Sequence, residues 1–120
     1  MEQIDLDIAK KMVDNYQETR KKLIDKTHNI NDTESIWIPL DHFKSFINNL
    51  PENASGVRIY LAAYDDTEPH YPNQTTAILM GTVSSGDDHT DVIASDGTLD
   101  DGDRGMEPYN KGKACPPFCS

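Results

Sequence analysis

Cys115 and Cys119, near the end of a 120-residue chain, are the side chains with the greatest reactive potential. They sit in the segment Cys115-Pro116-Pro117-Phe118-Cys119, which leaves three chemistries open. The thiols can close a small disulfide loop, supply two ligands to a soft metal, or stay reduced and inert. A redox-active pair ordinarily has two intervening residues and sits at a helix start, which lowers the pKa of the first thiol. Here three residues intervene, and two are prolines that oppose a helix through the motif. A structural zinc site takes four ligands, and the chain holds no second cysteine pair. Under the metal reading, Cys115 and Cys119 need further ligands from His28, His42, His70 or His89, or from another subunit.

Oxygen and imidazole chemistry is less defined. The run Asp96-Gly97-Thr98-Leu99-Asp100-Asp101-Gly102-Asp103 suits a hard cation by donor type. An EF-hand loop needs acidic or amide ligands at positions 1, 3 and 5 before its glycine, and neither Gly102 nor Gly105 has them upstream. A solvated acidic loop is the expectation. His89 lies in Asp87-Asp88-His89-Thr90-Asp91 and His70 in Glu68-Pro69-His70-Tyr71, where carboxylates beside an imidazole can make a base or a ligand pair. No Gly-x-Ser-x-Gly, His-Glu-x-x-His, phosphate loop or dinucleotide fingerprint accompanies them. The chain therefore reads as non-enzymatic, with no cofactor expected. Arg20, Lys21, Lys22 and Lys26 form a basic cluster that complements a helix C-terminus and is able to meet an acidic partner.

The elements that must position these residues follow from periodicity. Ile4, Ile8, Met12, Tyr16, Thr19 and Leu23 recur at helical spacing, predicting a helix from about Asp5 to Lys26. Ile36-Trp37-Ile38 is a short β-prone run, and a second helix fits from Pro39 or Leu40 to Asn49 with Leu40, Phe43, Phe46, Ile47 and Leu50 as its buried stripe. Residues 56–64 alternate, with Val57, Ile59, Leu61 and Ala63 on one face and Arg58, Tyr60, Ala62 and Tyr64 on the other. Residues 74–84 read as an antiparallel partner, and Val92-Ile93-Ala94 as a further short strand. The expected fold is α+β: two helices on one face of a small, mainly antiparallel sheet. Residues 1–84 form the core domain, and 85–120 an Asp/Gly-rich loop and tail. Leu61 should be buried beneath the helices, leaving Tyr60, Tyr64, Ile78 and Met80 as an apolar patch on the far face. Either the tail covers that patch with Met106, Tyr109 and Phe118, or a second copy does; the dimer is the favoured expectation.

Composition narrows the partners. Acids outnumber bases 21 to 11, a net charge of −10. Residues 1–30 hold six of each, so the whole excess falls on 31–120. Such acidity argues against a phosphate-backbone binder. No apolar run reaches the length of a membrane span, and the acidic, polar start lacks the pattern of a secretory signal. A cytoplasmic location is expected, with no nucleic acid or membrane partner.

Trp37, the Leu40/Phe43/Phe46-Ile47 helix, Gly56-Val57-Arg58-Ile59-Tyr60 and the terminal Asn110-x-Gly112…Cys115-Pro116-Pro117-x-Cys119 together resemble uncharacterised small bacterial proteins of similar length that end in the same tail. The resemblance implies a family and no activity. The expected function is a protein-interaction or self-assembly module presenting its tail, through Tyr109, Asn110, Gly112, Cys115, Pro116, Pro117, Phe118 and Cys119, to an unidentified protein partner. The alternative is a thiol-redox or soft-metal protein acting through Cys115 and Cys119.

Overall fold

The computed structural model describes residues 1–92, 109–110 and 112–119. Its first element is a long helix in three consecutive parts: α1 (Leu6–Tyr16), a π-helical turn (Gln17–Lys21) and α2 (Lys22–His28). Asn29 ends it in the left-handed conformation at φ 55°, a role asparagine fills because its short polar side chain tolerates that region. Then come β1 (Ser35–Trp37), α3 (Leu40–Asn48), β2 (Ala54–Ala63), β3 (Thr75–Ser85), β4 (Asp88–Asp91) and β5 (Lys113–Cys115). The mixed α+β class holds.

Among the described residues all the strand pairings are antiparallel and fall into two sheets. One has the order β2-β3-β4, and the other pairs β1 with β5. In the larger sheet Val57, Ile59, Leu61 and Ala63 lie opposite Gly81, Leu79, Ala77 and Thr75, so these residues share one face. A two-residue loop joins β3 to β4, with Gly86 at φ 66°. Glycine takes the positive φ that such tight hairpins require at their first loop position.

The core sits over β3 and Val92, the residue after β4. Phe46 of α3 is fully buried against Leu79 and Val92, with Ile38, Leu50, Val83 and Tyr109 packed around it. The tail re-enters here: Tyr109 pairs with Leu79 through both backbone hydrogen bonds, at 2.8 and 2.9 Å. Its ring meets Phe46 edge-on at 4.8 Å, and its hydroxyl accepts a bond from Asn49 Nδ2.

Three expectations are corrected. Leu61 is 84% exposed, because α3 packs through Phe46 on Leu79 of β3 and on Val92, and among the described residues no helix covers β2. The uncovered apolar face is thus that of Val57, Ile59 and Leu61, whereas Met80 on the opposite face is buried and Ile78 and Tyr64 are partly so. Strand β4 lies at Asp88–Asp91, within the stretch from 85 onward expected to be loop and tail; of the expected strand Val92-Ile93-Ala94 only Val92 is described. Val92 is a core residue, and Ile93, Ala94, Met106 and the 96–103 acidic run lie outside the described residues. The first helix forms as expected, yet no side chain of α1 is buried.

Candidate functional site

The chain's polar interior is built around the loop after α2. Asp32 is fully buried. Its carboxylate accepts from the Thr75 backbone N–H and from Thr75 Oγ1, both at 2.7 Å. Its own N–H donates to Asp25. Lys21, also buried, donates to Asp25 Oδ2 at 2.8 Å and to Asn31 Oδ1 at 2.6 Å. A lysine inside a small fold is tolerable because it is paired and hydrogen-bonded. Partial burial pushes the Asp25 carboxyl up, but the hydrogen bonds from Lys21 and the Asp32 N–H, with the Lys21 charge, hold it below its ordinary value. Burial first, then the neighbouring Asp32 charge, raises the Tyr16 hydroxyl. The expected basic cluster thus loses Lys21 to an internal latch that ties the long helix to the start of β3.

The same corner receives the tail. Gln74 Nε2 donates to Thr33 Oγ1 at 3.1 Å and to the Pro116 carbonyl at 2.8 Å. The Glu34 N–H donates to the Cys115 carbonyl, extending the ladder in which Ser35 faces Cys115 and Trp37 faces Lys113. The Phe118 N–H donates to the Ala114 carbonyl at 3.0 Å, and Cys115 and Cys119 are joined as a disulfide. Outside this ring, Phe118 meets Tyr71 edge-on at 5.9 Å, and Tyr71 stacks on Tyr64 at 5.7 Å. Lys113 Nζ lies 5.4 Å from the centre of the Trp37 ring. Residues 113–119 are therefore a clasp, with Pro117, Phe118 and Cys119 as its exposed rim.

Glu34 carries chemistry that sequence spacing did not reveal. Its Oε2 lies 3.8 Å from Cys115 Sγ. The ligand atoms of Glu34, Cys115 and Cys119 all lie within 4.8 Å of one another. Among the described residues no histidine joins that group. The signal was the β-propensity of Ile36-Trp37, but its partner strand, 80 positions away, is not legible locally.

Asn110 and Gly112 do different work. Asn110 Oδ1 accepts from Thr76 Oγ1 at 3.0 Å and Tyr64 OH at 3.2 Å. Gly112 passes so close to β1 that a Cβ there would lie 2.5 Å from Ile36 Cγ2. With Tyr109 they help line an apolar cavity of about 180 Å³ between α3 and β3, together with Ile38, Phe43 and Phe46. His42 reaches its edge from α3, without a carboxylate partner among the described residues.

His89 belongs to a separate polar cluster on the opposite sheet face. The register shift between Ala54 and Gly56 leaves Ser55 without a ladder partner. Its hydroxyl is 2.9 Å from His89 Nδ1 and 3.0 Å from Thr82 Oγ1. Asp91 accepts from both Arg58 and Tyr60, and the hydrogen bond to Asp91 raises the Tyr60 hydroxyl and the Arg58 guanidinium from their ordinary values. A hydroxyl beside an imidazole resembles the start of a nucleophilic relay, which also needs a third group to orient the ring. Among the described residues no carboxylate touches the His89 ring, and Asp91 is taken by Arg58 and Tyr60. The cluster fastens β4 to β2 across β3. His70 packs on Tyr71 at 6.3 Å.

No family model, curated protein or solved structure matches this chain. Among the described residues, no helix is long and apolar enough to cross a membrane.

Proposed function

We propose that this protein is a non-enzymatic self-assembly module, in which α1 of each copy lies across the Val57/Ile59/Leu61 face of the other. One observation carries the reading: among the described residues, an amphipathic helix with no buried side chain and an apolar strand row that α3 leaves uncovered occur in the same chain. On α1, Leu6, Ile8, Met12 and Val13 are all about half exposed or more, Met12 at 61%. On β2, Ile59 is 59% and Leu61 84% exposed. A helix stripe and a sheet face of this kind ordinarily bury each other.

Dimension and charge favour a second copy. Leu6 to Val13 spans about 10 Å of helix, and Val57 to Leu61 about 13 Å of strand. In a chain of net charge −10, α1 balances Asp7 and Asp14 with Lys10 and Lys11, and β2 holds no acid. These are the surfaces two acidic copies can bring together with least repulsion. Reciprocal exchange is isologous and closes as a two-fold dimer. The clasp holds the tail in the fold, and its rim of Pro117, Phe118 and Cys119 is the part left to meet another protein.

Sedimentation velocity of the full chain over a dilution series tests this. A dimer is expected at tens of micromolar, and Met12→Glu should return it to monomer. A wild-type monomer at that concentration overturns the reading.

A second reading, thiol redox or soft-metal handling, is favoured by the pairing of Cys115 with Cys119. Thiol titration of the native protein with and without reductant tests it; two free thiols and no bound metal would count against it.

A further inference from the structure

We propose that the chain, once its disulfide is reduced, binds one zinc ion through Cys115 Sγ, Cys119 Sγ and the Glu34 carboxylate, so that metal binding and the disulfide exclude each other. The proposal deepens the second reading above and involves neither α1 nor β2.

The ligand set is assembled by backbone pairing and does not depend on the disulfide alone. The β1–β5 ladder and the Glu34 N–H bond to the Cys115 carbonyl place Glu34 beside the motif. The Gln74 bond to Pro116 and the Phe118 bond to Ala114 hold the turn. None of those contacts involves a sulfur atom, so opening the sulfur–sulfur bond breaks none of them directly.

Their spacing suits a tetrahedral ion. Zinc–sulfur and zinc–oxygen distances of roughly 2.3 and 2.1 Å at a tetrahedral angle put sulfur and oxygen about 3.6 Å apart. Glu34 Oε2 is 3.8 Å from Cys115 Sγ. Two thiolates on one zinc sit about 3.8 Å apart, a separation that rotation about the two Cα–Cβ bonds supplies once the sulfurs are no longer bonded. Thiolates select a soft or borderline ion, and the carboxylate shifts the preference from copper(I) toward zinc. Three protein ligands leave a fourth position for water.

Electrostatics favours the cation over bare thiolates. In the disulfide the sulfurs are uncharged, and Glu34 faces no like charge from them. Two thiolates and a carboxylate in one cluster repel unless a divalent ion lies between them.

The redox step balances with a dithiol as reductant. The dithiol gives two electrons and two protons to the Cys115–Cys119 bond and becomes a cyclic disulfide, leaving two protein thiols. Zinc then displaces both thiol protons to solvent.

The test uses the full chain, opened with a dithiol that is then removed under anaerobic conditions. Zinc is titrated in competition with a chromophoric chelator, and cobalt(II) serves as a probe for thiolate-to-metal absorption. One zinc per reduced chain is expected, with masking of both thiols and no binding by the oxidised chain. Glu34→Gln should weaken zinc by on the order of 10-fold or more; its side chain is exposed, and circular dichroism confirms its fold. Equal zinc binding by the oxidised chain, no binding by the reduced chain, or full affinity in Glu34→Gln overturns the proposal. A linked pair that takes up no zinc after reduction defeats the metal site while leaving a purely redox role standing.

Discussion

Leu61→Thr separates the role of Leu61 in one chain from its role between two. Threonine has the β-branched shape that strands favour, so the backbone of β2 is little disturbed. In one copy Leu61 is 84% exposed, and replacing a side chain so exposed costs within about 0.5 kcal/mol. In the proposed dimer it would lie beneath the partner's α1, where burying a leucine contributes about 1.5–3 kcal/mol. Two-fold symmetry counts that loss twice, so the dissociation constant should rise by roughly 100-fold or more, at 1.4 kcal/mol per tenfold. Phe46→Ala is the control with the opposite signature. Phe46 is fully buried within one chain, and its loss should cost about 3–5 kcal/mol at any protein concentration. Urea denaturation in dilute protein, paired with sedimentation at higher concentration, reads both quantities. A Leu61→Thr loss above about 2 kcal/mol in dilute protein would show that the chain buries this residue itself. An unchanged dissociation constant would remove β2 from the interface.

Asp32→Ala should destabilise the fold by about 3–5 kcal/mol, because it strips the Thr75 N–H and hydroxyl of their acceptor at a buried site; a urea-unfolding loss below about 1 kcal/mol would show that water replaces the carboxylate. Gly112→Ala forces a Cβ to within 2.5 Å of Ile36 Cγ2, and chemical denaturation should report a loss of about 1–3 kcal/mol. An unchanged midpoint would mean that β1 yields freely. For Asp25 the folded value is lowered, so the unfolded chain binds more protons as pH falls toward about 4. Its stabilisation is therefore present above the ordinary carboxylate value and lost as pH drops through the folded one. The melting-temperature advantage of wild type over Asp25→Asn should shrink between pH 6 and pH 3. A constant difference would show that Asp25 does not act through its charge.

Local pattern carried most of the elements and the faces of the two long strands. Helical spacing located both helical segments, and strict alternation around Leu61 and Leu79 placed the facing rows of β2 and β3 correctly. The β3–β4 hairpin was missed because seven aspartates in 86–105 outweighed one local signal, the Gly86-Asp87 pair that suits a two-residue turn. The clasp was out of reach for a different reason. Its partners Glu34 and Gln74 are polar residues without periodicity, and only the long-range return of the chain brings them to it. Spacing flagged Cys115 and Cys119 but offered distant histidines as companions, whereas the β1–β5 ladder delivers a carboxylate.

The misplacement of Leu61 has a sharper cause. Amphipathicity reports that a face requires cover; it does not report which chain provides it. The stripe from Leu6 to Val13 and the row from Val57 to Leu61 each carry that requirement, and one sheet with two helices above it is the simplest intramolecular solution. The long helix is held elsewhere, because Lys21, Asp25 and Asp32 fasten its C-terminal half to the start of β3 while α1 extends from that anchor with no buried side chain. The two apolar surfaces are complementary in kind, similar in length and close to neutral in a strongly acidic chain. Bringing two copies together satisfies both requirements at once, which is why self-assembly, and not a rearranged monomer, is the reading these residues support.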